Sequence, residues 1–293
     1  MLKPGNTKLV ELVNIEKLYN LKSRIFAKVE NSNPSGSIKD RTVFHMLLDY
    51  QQKGILKSGG TIVEATSGNT GISLAYFSKE MNYKAIIVMP TNVSVQRREL
   101  IEKYGGVTCL VSGGMSECNQ KAKEIIENTA NAFLFGQFAA SSNPDAHYCS
   151  TGPELLKDIP NADYIFAGIG TGGTISGIGK YFKECCPTTR IVGVEPYESP
   201  LLTKGYASSH LIQGIGANFV PDTYLSKYID EVVTVKGEES IQMAKLIRKE
   251  ENIDIGISSG ASLLAALNYI KENNIENKNI VVIFPDKGDR YTW

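Results

Sequence analysis

Short apolar runs rich in β-branched residues alternate along this chain with stretches whose apolar positions recur at helical spacing. The runs at 61–64, 84–89, 107–111, 164–167, 190–194, 231–235 and 279–284 predict strands, and several are apolar at successive positions rather than at every second one. A continuous apolar run of strand length marks a strand covered on both faces, as in parallel sheets flanked by crossover helices. Helical periodicity at 94–104, 116–128, 239–249 and 260–272 supplies such helices, and 42–48, 72–75 and 175–182 open further ones. The pattern predicts an α/β protein with mostly parallel sheets.

Two strand ends run into unusual loops. EATSGNTG at 64–71 follows one strand and opens a helix beginning ISLA, while GIGTGGT at 168–174 follows another and opens the helix at 175–182. Glycine permits close backbone approach and positive φ, and hydroxyls together with the free N–H groups of a helix N-terminus receive an anion. In open parallel sheets ligands sit beyond the carboxyl ends of strands, so two such loops predict two lobes facing one cleft. The polar segment 136–148, GQFAASSNPDAHY, reads as a crossover or hinge between lobes, and 251–254 and 271–279 read as exposed turns.

Composition narrows the class. The 293 residues suffice for one large or two ordinary domains with a substantial core. With 31 basic against 31 acidic side chains, the chain lacks the positive field on which non-specific nucleic-acid binding rests. Its longest apolar runs are of strand length, and the N-terminal MLKPGNTKLVELVNIEKL has no signal-peptide core. No transmembrane segment is expected, and the expected address is cytoplasmic. Cys109, Cys118, Cys149, Cys185 and Cys186 are odd in number without metal-type spacing, and His45, His147 and His210 are far apart. Free thiols and no metal site are therefore expected.

In 33–41, NPSGSIKDR, Lys39 stands at the mouth of a helical pattern beside hydroxyls and glycine. The loop 168–174 has the character of a phosphate cradle, yet it lacks the Lys-Ser ending of a nucleotide P-loop and a convincing dinucleotide fingerprint. The residues themselves favour phosphate binding over any particular phosphate.

Taken together, 33–41, TSGNTG at 66–71, Gln137-Phe138, TGPE at 151–154, GTGGT at 170–174, QGIG at 213–216, GISSG at 256–260 and the stretch 285–291 carry a resemblance in order and spacing. The chain resembles the cysteine synthases, or O-acetylserine sulfhydrylases, of the fold-type II pyridoxal-phosphate enzymes, the group that includes cystathionine β-synthase. The resemblance implies a smaller N-terminal α/β lobe at 35–145 and a larger α/β lobe from 1–34 and 146–293, with the active site in the cleft between them. It implies pyridoxal 5'-phosphate as cofactor, held covalently by Lys39, whose freed amine then takes the substrate Cα proton. Gly170, Thr171, Gly172, Gly173 and Thr174 would surround the cofactor phosphate, in agreement with the reading of that loop from its residues. Asn69 would lie beside the cofactor 3'-oxygen and Ser258 opposite the pyridine nitrogen. Thr66, Ser67, Gly68, Thr70 and Gln137 would clasp the substrate α-carboxylate. A neutral hydroxyl at the ring nitrogen suits β-elimination, because the electrons leave promptly through Cβ.

The activity implied is formation of L-cysteine from O-acetyl-L-serine and sulfide through an α-aminoacrylate intermediate. Several features depart from the family pattern: Ser35 where glycine or another small residue is common, ASSH at 207–210 before QGIG, PDKGDRY at 285–291 in place of a serine-rich stretch, and an early end at Trp293. Neither a haem-binding extension nor a regulatory pair of domains is expected. A related β-replacement or hydrogen-sulfide-forming lyase using serine, cysteine, cystathionine or O-phosphoserine is the alternative within the same chemistry. A non-catalytic regulatory partner of serine acetyltransferase is the alternative of another class. The resemblance further implies a homodimer able to receive the C-terminus of serine acetyltransferase, with no nucleic-acid or membrane partner.

Overall fold

In the computed structural model residues 2–291 are described; Met1, Thr292 and Trp293, which the sequence assigns to the larger lobe, lie outside the described residues. The chain opens with β1 (Lys8–Glu11), α1 (Val13–Leu18) and β2 (Arg24–Val29). There follow α2 (Lys39–Gln52), β3 (Thr61–Ala65), α3 (Asn69–Glu80), β4 (Lys84–Pro90), α4 (Val95–Lys103), β5 (Val107–Val111), α5 (Met115–Asn128) and β6 (Ala132–Leu134). The remainder is α6 (Ser142–Cys149), α7 (Thr151–Asp158), β7 (Tyr164–Gly168), α8 (Gly173–Cys185), β8 (Arg190–Pro196), α9 (Leu201–Lys204), β9 (Glu231–Val235), α10 (Gly237–Glu250), α11 (Ile257–Glu272) and β10 (Asn279–Phe284). Two compact units divide these elements: Lys39–Gln137 carry one, and Gly5–Ile38 with the chain from Phe138 onwards carry the other.

The first unit is built on a parallel sheet of order β5-β4-β3-β6. β3 is buried along its whole length, polar Thr61 and Glu64 included, and Val63, Ala65 and Val88 pack against Cys118 and Ala122 of α5. The second unit has the order β1-β2-β10-β7-β8-β9, with β1 antiparallel to β2 and every other pair parallel. Its sheet is covered on both faces. Ile165 and Val281 pack with Ile175, Ile178 and Phe182 of α8, whereas their neighbours Phe166 and Val282 pack with Ala244 of α10 and Leu263 of α11. That alternation is the period of a strand. The α/β class and the mostly parallel sheets are those the hydrophobic pattern predicts.

The structure adds three strands that the pattern did not announce. β2 is interrupted by Lys28, which is nevertheless fully buried: its Nζ donates to Thr7 O at 2.8 Å and pairs with Glu154 at 3.0 Å and Asp158 at 3.1 Å. β1 lies at the sheet edge and β6 has only three residues. The segment 136–148, expected as a crossover or hinge, contains most of α6. The turns at 251–254 and 271–279 follow α10 and α11 and place Asn252 at φ 53° and Asn274 at φ 50°, the left-handed position after a helix that asparagine tolerates. All five cysteines are free. Among the described residues, no helix is long and apolar enough to cross a membrane.

Candidate active site

In the first unit, β3 ends with a ladder bond from Thr66 N–H to Val88 O at 3.0 Å, and Thr66 Oγ1 then accepts from Gly68 N–H at 3.3 Å. Gly68 caps α3 in an extended conformation, so that helix begins at Asn69 and Thr70. A Cβ on Gly71 would come within 2.8 Å of Ile87 Cγ2, so glycine is what lets α3 lie this close to β4. Arg97 Nη1 of α4 steadies the turn by donating to Ser67 O at 3.1 Å. Buried Thr70 Oγ1 donates to Oε1 of buried Gln137 at 2.6 Å, which joins the far end of the unit to the turn. Lys39, half-buried, begins α2, and that helix is tied to α3 by Ser73 Oγ donating to Asp40 Oδ1. Thr66, Ser67, Gly68, Asn69, Thr70 and Gln137 are thus gathered at one end of β3.

Beneath them is a residue that sequence reasoning did not single out. Glu64, on β3, is buried; its Oε2 accepts from Gly136 N–H at 3.0 Å and its Oε1 from Gln137 N–H at 3.4 Å. Burial outweighs these bonds and pushes the carboxyl up to about 7.

In the second unit, β7 leads through Gly170, Thr171 and Gly172 into α8. Gly172 caps that helix at φ 81°, a left-handed conformation natural to glycine. Gly173 N–H donates to Thr171 Oγ1 at 3.2 Å, while among the described residues the N–H groups of Gly170, Thr171 and Gly172 have no protein acceptor. Orphaned donors at the N-terminus of a helix fit a phosphate, which brings acceptors alone and negative charge. The QGIG turn packs directly on this loop: Gly216 N–H donates to Ile169 O at 2.8 Å, and a Cβ on Gly170 would run into Gly214 O. Thr223 Oγ1 donates to Thr171 O at 2.6 Å, and Asn143 Nδ2 of α6 donates to Thr171 Oγ1 at 3.1 Å. Thr174, half-buried, lies in the first turn of α8, 3.2 Å from Nε2 of His147.

Ser258, buried, lies in the first turn of α11. The start of that helix is fixed by Gly256 N–H donating to Asp286 O at 3.1 Å, while Tyr291 Oη donates to Asp286 Oδ2 at 2.6 Å. The same stretch holds the approach to Lys39, because Ile38 N–H donates to Pro285 O at 2.8 Å, Ser37 pairs with Asp286, and Arg290 Nη2 donates to Ser35 O. PDKGDRY, a departure from the family pattern in sequence, therefore ties the residue preceding Lys39 and the helix bearing Ser258 to the end of β10. In the other departing stretch, Ser208 N–H donates to Ser199 Oγ at 3.0 Å, and His210 Nε2 lies 3.1 Å from Gly216 O. Among the described residues, no cluster of His, Cys, Asp and Glu could hold a metal ion.

Compared with known proteins, residues 1–286 match the family model described as pyridoxal-phosphate dependent enzyme. The chain is 45% identical over 299 residues to a cysteine synthase of Buchnera aphidicola subsp. Schizaphis graminum, covering 98% of this chain and 91% of that protein. It is similar to the solved structure of a hydrogen sulfide-producing enzyme from Fusobacterium nucleatum, with a TM-score of 0.95, 40% identity and coverage of 99% of this chain and 96% of that one. It is also similar to the structure of an O-ureido-L-serine synthase, with a TM-score of 0.94, 37% identity and coverage of 99% and 91%.

Proposed function

Because this chain belongs to the pyridoxal-phosphate-dependent enzymes and, within them, to the cysteine synthase family, we propose that it forms L-cysteine from O-acetyl-L-serine and sulfide. Its reaction is a pyridoxal-phosphate-dependent β-replacement. The observation that carries the finer reading is the turn 66–70 joined to Gln137, a neutral, donor-rich cradle suited to the α-carboxylate of a small amino acid. Relatives bearing the name cysteine synthase support cysteine as the product.

When bound, pyridoxal phosphate draws electrons from the substrate Cα and acidifies its proton. In this reading, Gly170, Thr171, Gly172, Gly173 and Thr174 hold the phosphate at the N-terminus of α8. Asn69 would donate toward the 3'-oxygen, and Ser258 would offer the ring nitrogen a neutral hydroxyl. Lys39 would hold the cofactor through Nζ, and that amine, once freed by the substrate, would take the Cα proton. Thr66, Ser67, Gly68, Thr70 and Gln137 hold the α-carboxylate and so orient the Cα–H bond. Acetate would leave from Cβ, hydrosulfide would add there, and Lys39 Nζ would return the proton to Cα. In the same reading the enzyme works as a homodimer in the cytoplasm.

The similarity to the Fusobacterium enzyme favours a second reading, a lyase releasing hydrogen sulfide. Stopped-flow absorbance separates the two, with O-acetylserine, serine, O-phosphoserine and cysteine compared as first substrate. O-acetylserine should change the visible spectrum at the highest second-order rate, and sulfide should then restore it with release of cysteine. A higher rate with serine or cysteine replaces the biosynthetic reading with the lyase.

A further inference from the structure

Two helices of the second unit meet through matched spacings. Gly173 and Gly177 lie four residues apart on α8, and Asn143 and His147 lie four apart on α6, so each pair occupies one helix face. A Cβ on Gly173 would run into the Asn143 amide, and one on Gly177 would meet Pro144 O and stand 2.7 Å from His147 Cβ. The close approach leaves His147 fully buried, with Nδ1 2.9 Å from Thr151 Oγ1 and Nε2 3.2 Å from Thr174 Oγ1.

A neutral imidazole has one donor and one acceptor nitrogen, and each hydroxyl has one proton. The chain Thr151–His147–Thr174 can therefore run in either of two directions. In one, Thr174 gives its proton to Nε2 and turns only lone pairs toward anything bound at the loop. In the other, Nε2–H donates to Thr174 Oγ1, and the Thr174 proton stays available. A phosphate dianion only accepts. We propose that His147 is a positioning residue that carries its proton on Nε2, accepts at Nδ1 from Thr151, and thereby directs the Thr174 hydroxyl to donate to the cofactor phosphate. A neutral ring also avoids the desolvation cost of a charge at zero exposure. The proposal rests on the reading of 170–174 as the phosphate site.

The direct test is nitrogen-15 NMR of histidine-labelled holoenzyme, in which the His147 resonances are identified by their loss in His147→Gln. A proton on Nε2 with a bare Nδ1 is expected. The opposite tautomer, or a doubly protonated ring, overturns the proposal. A second measurement titrates the resolved enzyme with pyridoxal phosphate and with pyridoxal. His147→Leu should weaken the phosphate-bearing ligand about 10- to 100-fold, the range for one hydrogen bond to a charged group, and change pyridoxal far less. His147→Gln, whose amide N–H stands in for Nε2–H, should keep most of the affinity. In a Thr174→Val background, His147→Leu should add little, because both changes remove the same bond. Equal losses for the two ligands, or full additivity, would reduce His147 to packing and overturn the proposal. If Thr174→Val leaves the affinity unchanged, the phosphate reading falls and the proposal with it, an outcome distinct from a loss in Thr174→Val that His147→Leu does not reproduce.

Discussion

Gly172→Ala tests whether the loop before α8 is strained into shape in order to hold a phosphate. At φ 81° a side chain costs about 1–2 kcal/mol. The added Cβ would also stand 2.7 Å from Tyr224 Cβ and 2.8 Å from Tyr224 Cα, closer than carbon atoms approach without displacement. Tyr224 is pinned: its N–H donates to Pro221 O at 3.0 Å, and its neighbours are held by bonds from Thr223 Oγ1 to Thr171 O at 2.6 Å and from Leu225 N–H to Ser176 Oγ at 2.9 Å. Overpacking against such a neighbour costs about 1–3 kcal/mol. Less about 0.5 kcal/mol for the lower entropy of the unfolded alanine chain, the variant should lose about 1.5–4.5 kcal/mol of stability. The loop can relieve the contact by moving, which carries the Thr171 and Gly172 N–H groups off the phosphate. Losing one charge-assisted bond weakens pyridoxal phosphate at least about 10-fold. Urea unfolding of the cofactor-free protein reads the first effect, and titration with pyridoxal phosphate reads the second. An unchanged unfolding midpoint refutes the strain argument. Unchanged affinity in a variant whose midpoint has dropped removes these N–H groups from the phosphate site.

Lys39→Ala should abolish turnover, and borohydride reduction of the unmodified enzyme should fix the cofactor on Lys39 in peptide maps; a different modified lysine ends that assignment. Thr70→Val removes the hydroxyl that donates to Gln137 Oε1 and faces the carboxylate turn, so KM for the amino-acid substrate should rise about 10-fold while KM for sulfide stays put; steady-state kinetics with each substrate varied in turn decide it. Because burial raises the Glu64 carboxyl from 4.5 to about 7, the fold binds its proton more tightly than the unfolded chain. That contribution to stability is fully present below about pH 4.5 and is lost as pH rises through about 7. Glu64→Gln should flatten this part of the pH dependence of the urea midpoint, and an unaltered profile contradicts the raised value.

The strands readable in sequence are those whose burial writes a continuous apolar run, β4 and β10 among them. β2 escaped because Lys28 is buried by partners at Thr7, Glu154 and Asp158, and no window around Lys28 contains the last two. The candidate site divides in the same way. Glycines and hydroxyls that meet a ligand cluster in one loop, because a helix N-terminus offers its N–H groups together, and such clusters can be seen locally. The side chains that support them sit elsewhere: Glu64 grips Gly136 across 72 residues, His147 reaches Thr174 across 27, and Arg290 reaches Ser35 across 255. One of these does leave a local trace. Glycines four apart at the start of α8 need a reason beyond the phosphate loop, since Gly177, inside the helix, weakens it by about 1 kcal/mol. Their spacing implies a second helix in close contact on that face, and the residues they meet in 136–148, Asn143 and His147, are likewise four apart.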